Sequence, residues 1–314
     1  MDTIVHLVIF LVGLAVLYVG AETLLKGAVR LARSFGVSSL VIGLTLVAFG
    51  TSAPELSLDL TAAFRGKGDL AFGDLVGSNI ANVGLILGVG ALVRPLGVQM
   101  RLLRVEVPLV IALSLGLWGL AADGRLSRLD GGILLVCFLA FLTLTYRLSR
   151  REPPEVQEEL ARRAAGGNRR AGSAMLVVAG LAGLVLGAQL MVYAAVQMAR
   201  AFGVGELVIG LTIVAVGTSL PELATAVVGA YRGEADIVVG NVLGSNIFNV
   251  LCILGLVAQV QPLAVQARSL SFDLPVMALS ALAMVPIMRR GLNISRAEGV
   301  VLVLAYAAFL FCQL

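Results

Sequence analysis

Long apolar runs alternate along the chain with short charged or glycine-rich breaks. Ten of the runs are helix candidates: 3–32, 38–64, 70–93, 103–121, 129–147, 173–200, 206–231, 237–260, 270–288 and 296–312. About 20 apolar residues in helical form cross a hydrocarbon core of about 30 Å, so the pattern predicts ten transmembrane helices. The first and sixth runs are longer than a bilayer needs. Thirty residues at a rise of 1.5 Å reach about 45 Å, and both helices are expected to be strongly tilted. One break stands apart, 147–172, with seven arginines, four glutamates and the pair Pro153 and Pro154. It is too short and polar to fold alone.

Composition removes the soluble alternatives. The 314 residues are 59% hydrophobic and 13% charged, with a mean hydropathy of +0.99, whereas soluble domains are about half apolar and a quarter charged. The net charge of +4 comes from short basic clusters between the runs, and aromatics are only 6%. A nucleic-acid face would need a basic stripe with interleaved aromatics, so no nucleic-acid partner is expected. Cys137, Cys252 and Cys312 lie inside apolar runs and read as small buried hydrophobes. The first run lacks a basic n-region and is too long for a signal-peptide core, so it is expected to stay as a helix.

Charge also orients the chain. With the N-terminus outside, 17 of the 23 Lys and Arg residues fall in inward loops and 6 in outward ones. The positive-inside rule then puts both termini outside and the 147–172 linker in the cytoplasm.

The two halves repeat. Segments 36–96 and 203–263 align without a gap, more than half of their positions are identical, and each residue meets its mate 167 positions on, as Glu55 meets Glu222. Weaker echoes run from Gly20 with Gly187 to Pro108 with Pro275. The predicted organisation is a first five-helix repeat over 1–146, the linker over 147–172 and a second five-helix repeat over 173–314. Five is odd, so the second copy must enter the membrane with opposite polarity. The expected fold is an all-α polytopic membrane protein made of two inverted repeats. Such folds place substrate near the midplane, between the repeats, where helices are interrupted.

The second and seventh runs each carry GTSxPE near their middle, Gly50 to Glu55 and Gly217 to Glu222. Proline removes an amide donor and clashes with the preceding turn, so each helix is expected to break there. Carbonyls freed at membrane depth must line a cavity or be buried in protein. Beside Thr, Ser and Glu oxygens they form a ligand set for hard cations. A mid-bilayer carboxylate is costly and marks function by default, and no Lys or Arg lies at comparable depth in any run. Asp74, Ser78 and Asn82 in the third run, and Asn241, Ser245 and Asn249 in the eighth, are spaced by four and share a helical face. Ser and Asn also serve as interhelical glue. Their repetition beside the glutamates favours ion contact.

The doubled pair GLTLVAFGTSAPE with GDLVGSNIANVG, and GLTIVAVGTSLPE with GNVLGSNIFNVL, resembles the two alpha repeats of the calcium/cation antiporter superfamily, most closely prokaryotic sodium/calcium exchangers. The resemblance covers nearly the whole chain. It implies a ten-helix exchanger in a prokaryotic inner membrane whose second, third, seventh and eighth helices enclose the cation sites, while the long first and sixth slide past this core. It further implies Glu55 and Glu222 as principal Ca²⁺ and Na⁺ ligands, with backbone carbonyls from Thr51 and Thr218. Ala48, Ser52, Ala215, Ser219, Ser78 and Ser245 would line the sodium sites, and Asn82 and Asn249 would stand by the central one. No cofactor is implied, Ca²⁺ and Na⁺ being cargo, and no obligate protein partner beyond the bilayer.

Two positions depart from the family pattern. Many relatives carry aspartate where this chain has Asn249, so the centre holds two carboxylates and two amides. One Ca²⁺, two Na⁺ or two H⁺ would neutralise it, and the missing acid argues against K⁺ co-transport. Asp74, opposite Asn241 in the repeat, reads equally as an outer-vestibule cation attractor or a solvated helix-end acid. Asp59, one turn beyond Glu55, is expected to be partly solvated at the outer exit. Glu22 with Lys26 reads as a pair near the inner helix end, Arg65 and Arg232 as helix-end anchors, and His6 as a lone interfacial residue. The functional expectation is Ca²⁺/Na⁺ antiport by alternating access. A proton/calcium exchanger on the same fold stays open, because buried glutamates bind protons when desolvation raises their affinity. A membrane-embedded phosphatase would want Arg or His at the site, and an aspartyl protease two intramembrane Asp. A passive channel is distinguished by flux without exchange.

Overall fold

The computed structural model describes residues 2–149, 170–203 and 215–313. Its helices are α1 (Asp2–Phe35), α2 (Ser39–Thr51), α3 (Ala53–Phe64), α4 (Gly68–Val93), α5 (Met100–Asp123), α6 (Arg128–Leu148), α7 (Arg170–Ala201), α8 (Ala215–Thr218), α9 (Leu220–Arg232), α10 (Ala235–Val260), α11 (Ser269–Arg289) and α12 (Arg296–Gln313). Among the described residues eight are long and apolar enough to cross a bilayer singly, and α2 with α3 forms a ninth, broken span bent by 45°. The seventh expected span, 206–231, lies partly outside the described residues; its second part is α8 and α9.

Four two-residue strands settle the relation of the halves. β1 (Leu96–Gly97) pairs antiparallel with β4 (Asn293–Ile294), and β2 (Arg125–Leu126) with β3 (Leu263–Ala264). Helix α5 separates β1 from β2, so the two ribbons cap opposite ends of the bundle. Adding 167 to β1 gives β3, and adding 167 to Leu126 gives Asn293 of β4. The repeat therefore exchanges one ribbon with the other across the membrane, as an inverted pair requires.

The longest helices, α1 and α7, run antiparallel against each other. A Cβ placed on Gly13 would meet Met191 and the Gly187 carbonyl, one on Gly20 would meet the backbone of Leu184 and Gly183, and one on Gly27 would meet Val177. From the other side, Gly180 faces Leu24 and Gly187 faces Leu17. Glycines seven apart share a helix face, and small residues let membrane helices approach backbone to backbone. Thirty-four residues of α1 span about 50 Å, longer than the core of a bilayer.

The centre of the bundle is α10, whose whole apolar window is buried, with α4 beside it. Gly240 and Gly244 of α10 approach the Leu40 and Leu44 carbonyls of α2, which locks the first half's broken helix onto the second half's central one. The peripheral helices turn large apolar side chains outward, among them Leu139, Val178, Leu279 and Phe311, as lipid-facing surfaces do. Of the cysteines only Cys252 is buried; Cys137 and Cys312 lie on outward faces, because an apolar run places residues on lipid-facing and core-facing sides alike.

Candidate cation site

Both GTSxPE motifs break their helices. Ser52 has φ −86° and ψ 5° and Ser219 φ −88° and ψ 4°, leaving the α-helical geometry on either side. Pro54 and Pro221 have no amide hydrogen, so the carbonyls of Gly50 and Gly217 lose their helical donors. After each break a new helix begins, and Glu55 and Glu222 occupy the first turns of α3 and α9. The positive end of a helix dipole favours a carboxylate there. The helix starts are thus arranged to present two acids at the heart of the bundle.

The halves are joined at this point. Ser52 Oγ donates to Glu222 Oε1 at 3.1 Å and lies 3.0 Å from Ser245 Oγ. Thr51 Oγ1 donates to Asn241 Oδ1 at 3.2 Å. Glu55 and Glu222 are close enough to repel each other, and both are 1% exposed. Among the described residues neither has a basic partner. One carboxylate oxygen of each, Glu55 Oε2 and Glu222 Oε2, is buried without a hydrogen bond.

Asn82 and Asn249 complete the centre. Each opens a wider π turn, Asn82–Leu87 in α4 and Asn249–Ile253 in α10, a distortion that recurs at functional sites. Their amide nitrogens are tied across the repeat axis: Asn82 Nδ2 donates to Asn246 Oδ1 at 2.9 Å, and Asn249 Nδ2 to Asn79 Oδ1 at 3.2 Å. Asn246 Nδ2 reaches the Asn79 carbonyl at 3.4 Å. With the nitrogens occupied, Asn82 Oδ1 and Asn249 Oδ1 are left as buried acceptors without donors. Asn79 and Asn246 are repeat mates absent from the sequence expectations. Their signal was the spacing of three to Asn82 and Asn249 on a helix.

The other expected positions distribute around this centre. Ala48, Thr51, Ser52, Ser78, Ser219 and Ser245 are buried. Thr218 is half-buried and has an interaction partner, and the Ala215 side chain is not among the described features. Asp59 differs from expectation: it is 1% exposed, because α3 is packed between α4 and α10. Asp74 is half-buried beside it. Among the described residues no cluster of three or more His, Cys, Asp or Glu forms a metal cage. Two acids among neutral oxygens suit a cargo ion that must leave again.

At the end capped by β1 and β4, a cavity of about 330 Å³ is lined by Ser39, Gln99, Glu234 and Asp236. Burial pushes the Glu234 carboxyl up against the pull of Arg33. Arg232 here donates to Glu22, which Lys26 also holds at 2.6 Å, so this arginine ties α9 to α1 beyond anchoring a helix end.

Crossed amide bonds give a direct prediction. Asn79→Ala removes the acceptor of Asn249 Nδ2 inside a closed site, and an orphaned buried donor costs about 1–3 kcal/mol. The midpoint of thermal unfolding in detergent should fall, and Asn79→Asp, which keeps an acceptor, should recover part of the loss. An unchanged midpoint in Asn79→Ala would remove Asn79 from this network.

An inverted pair of broken helices, each delivering one acid to a shared, oxygen-lined centre that no base enters among the described residues, defines a polytopic cation antiporter. The chain belongs to the sodium/calcium exchanger protein family, which it matches over residues 5–147 and 172–314. It is 34% identical to the sodium/calcium exchanger MaX1 of Methanosarcina acetivorans over 98% of this chain and 97% of that one. It is 39% identical to the inner membrane protein YrbG of Escherichia coli over 86% and 85%. The solved sodium-calcium exchanger NCX_Mj, soaked with zero Na⁺ and Ca²⁺, superimposes with a TM-score of 0.85 at 30% identity, covering 99% of this chain and 100% of that chain.

Proposed function

We propose that the protein exchanges Ca²⁺ for Na⁺ across a prokaryotic inner membrane by alternating access, with both termini outside and Glu55 and Glu222 shared competitively by the two ions. One observation carries this reading: four buried acceptor oxygens, Glu55 Oε2, Glu222 Oε2, Asn82 Oδ1 and Asn249 Oδ1, fall into two repeat-related pairs and have no donor among the described residues. Orphaned buried acceptors are rare in folded proteins. Four related by one symmetry call for a cation, and hard-cation coordination by carboxylate and amide oxygen is the matching chemistry. Ser52, Ser219, Ser78, Ser245, Ala48 and Ala215, with the backbone of Thr51 and Thr218, would supply further contacts for Na⁺.

Coupling follows from charge. The ionised centre carries two negative charges, so one Ca²⁺ or two Na⁺ leave it neutral, while the empty, unprotonated form keeps two buried charges and resists transit. The test is uptake of ⁴⁵Ca²⁺ by proteoliposomes loaded with Na⁺. Uptake should follow the outward Na⁺ gradient and persist when the pH gradient is collapsed. Uptake that ignores Na⁺ and follows pH would replace this reading with proton/calcium exchange.

A further inference from the structure

We infer that Asp59 and Asp74, which among the described residues belong to the first repeat, form a second binding site for a divalent cation on the side of Glu55 away from the β1–β4 end. Glu55 and Asp59 stand four apart on α3; Asp74, Ser78 and Asn82 stand four apart on α4. Residues at that spacing share a helix face. The two helices form an antiparallel hairpin through 65–67, so both ladders run from the centre toward the same end of the bundle.

The acids at the far rungs are confined together. Asp59 is 1% exposed, and its Oδ2, like Asp74 Oδ2, is buried with no hydrogen bond among the described residues. Asp74 acts electrostatically on Asp59, and both act on Glu55. Among the described residues no salt bridge reaches either one. Two ionised carboxylates held together without a base are strongly unfavourable until protons or a cation neutralise them, and a single divalent ion neutralises the pair. Only two carboxylates are offered, so water must complete a shell of six to eight oxygens. That makes the site weak, suited to an ion waiting beside the centre.

The second repeat shows that the acids are not needed for folding. The mates of Asp59 and Asp74 are Ala226 and Asn241, both fully enclosed in the same architecture. Asp59→Ala and Asp74→Asn therefore copy side chains that this fold already accepts. The inference rests on these two acids and not on which ion drives exchange.

Equilibrium dialysis of the detergent-purified full chain against ⁴⁵Ca²⁺ up to millimolar concentration tests it. The Glu55→Gln/Glu222→Gln variant should retain one Ca²⁺ per chain, and adding Asp59→Ala or Asp74→Asn should abolish that binding, with gel filtration unchanged in each. The two single variants serve as independent checks should one fail to fold. No Ca²⁺ bound to the doubly substituted chain, or binding that survives both aspartate changes, would overturn the proposal. Sodium-independent Ca²⁺ uptake would instead refute only the exchange reading.

Discussion

Glu55→Gln and Glu222→Gln should each lower Na⁺-driven Ca²⁺ uptake by a factor of about 100 or more. Either change keeps the side chain's volume and one carbonyl oxygen while removing a single charge. The Ca²⁺ complex, neutral with both glutamates, would then carry one uncompensated positive charge at the centre of the bundle. An unbalanced charge in the middle of a membrane helix costs about 2.5–3.5 kcal/mol on insertion scales, and each 1.4 kcal/mol is tenfold in affinity. Equal damage is expected from both substitutions, because the two acids occupy repeat-related positions in the first turns of α3 and α9. Initial rates of ⁴⁵Ca²⁺ uptake at matched protein density give the comparison. A Glu222→Gln variant with near-normal uptake would show that one carboxylate suffices and would end the shared-ligand scheme.

Asymmetry is concentrated on the ladders that lead away from this centre. Glu55 continues to Asp59 and Asp74, whereas Glu222 continues to Ala226 and Asn241, with Asn241 accepting from Thr51. Inverted repeats supply equal halves, but ions are taken up and released on sides that differ in concentration and potential. An acidic approach on one side and a neutral one on the other is a means by which a symmetric frame acquires a direction.

How far the sequence reveals this structure depends on the range over which each feature is determined. The helix breaks are local: a proline four residues after a glycine removes one helical bond, and GTSxPE states it twice. The repeat likewise needed only self-comparison. The burial of Asp59 was hidden, because the surfaces packed against α3 come from α4 and α10 and not from its own helix. Asn79 and Asn246 drew no expectation from the sequence, and only the fold brings each beside the other half's amide. The four strands are two residues long, below any period that an apolar pattern can show.

The seam between α1 and α7 carries the second large expected effect. Gly180→Ala should destabilise the protein, whereas Gly116→Ala should leave it unchanged or slightly stabilised. A Cβ on Gly180 would lie 2.4 Å from Leu24 N and 2.6 Å from its Cα. Those are backbone atoms, so no rotamer change relieves the clash and the helices must part. Overpacking of this kind typically costs about 1–3 kcal/mol, occasionally more, and here the strain propagates along contacts at Gly187 and Gly20. Gly116 in α5 has nothing within 4 Å of its Cβ position among the described residues, and alanine gains about 1 kcal/mol over glycine in a helix. Thermal unfolding in one detergent should therefore move in opposite directions for two chemically identical changes. If α1 and α7 also move as one body during exchange, Gly180→Ala should slow ⁴⁵Ca²⁺ transport at temperatures where the variant remains folded, with Ca²⁺ binding preserved. Equal midpoints for the two variants would mean that the long helices are not held by backbone contact.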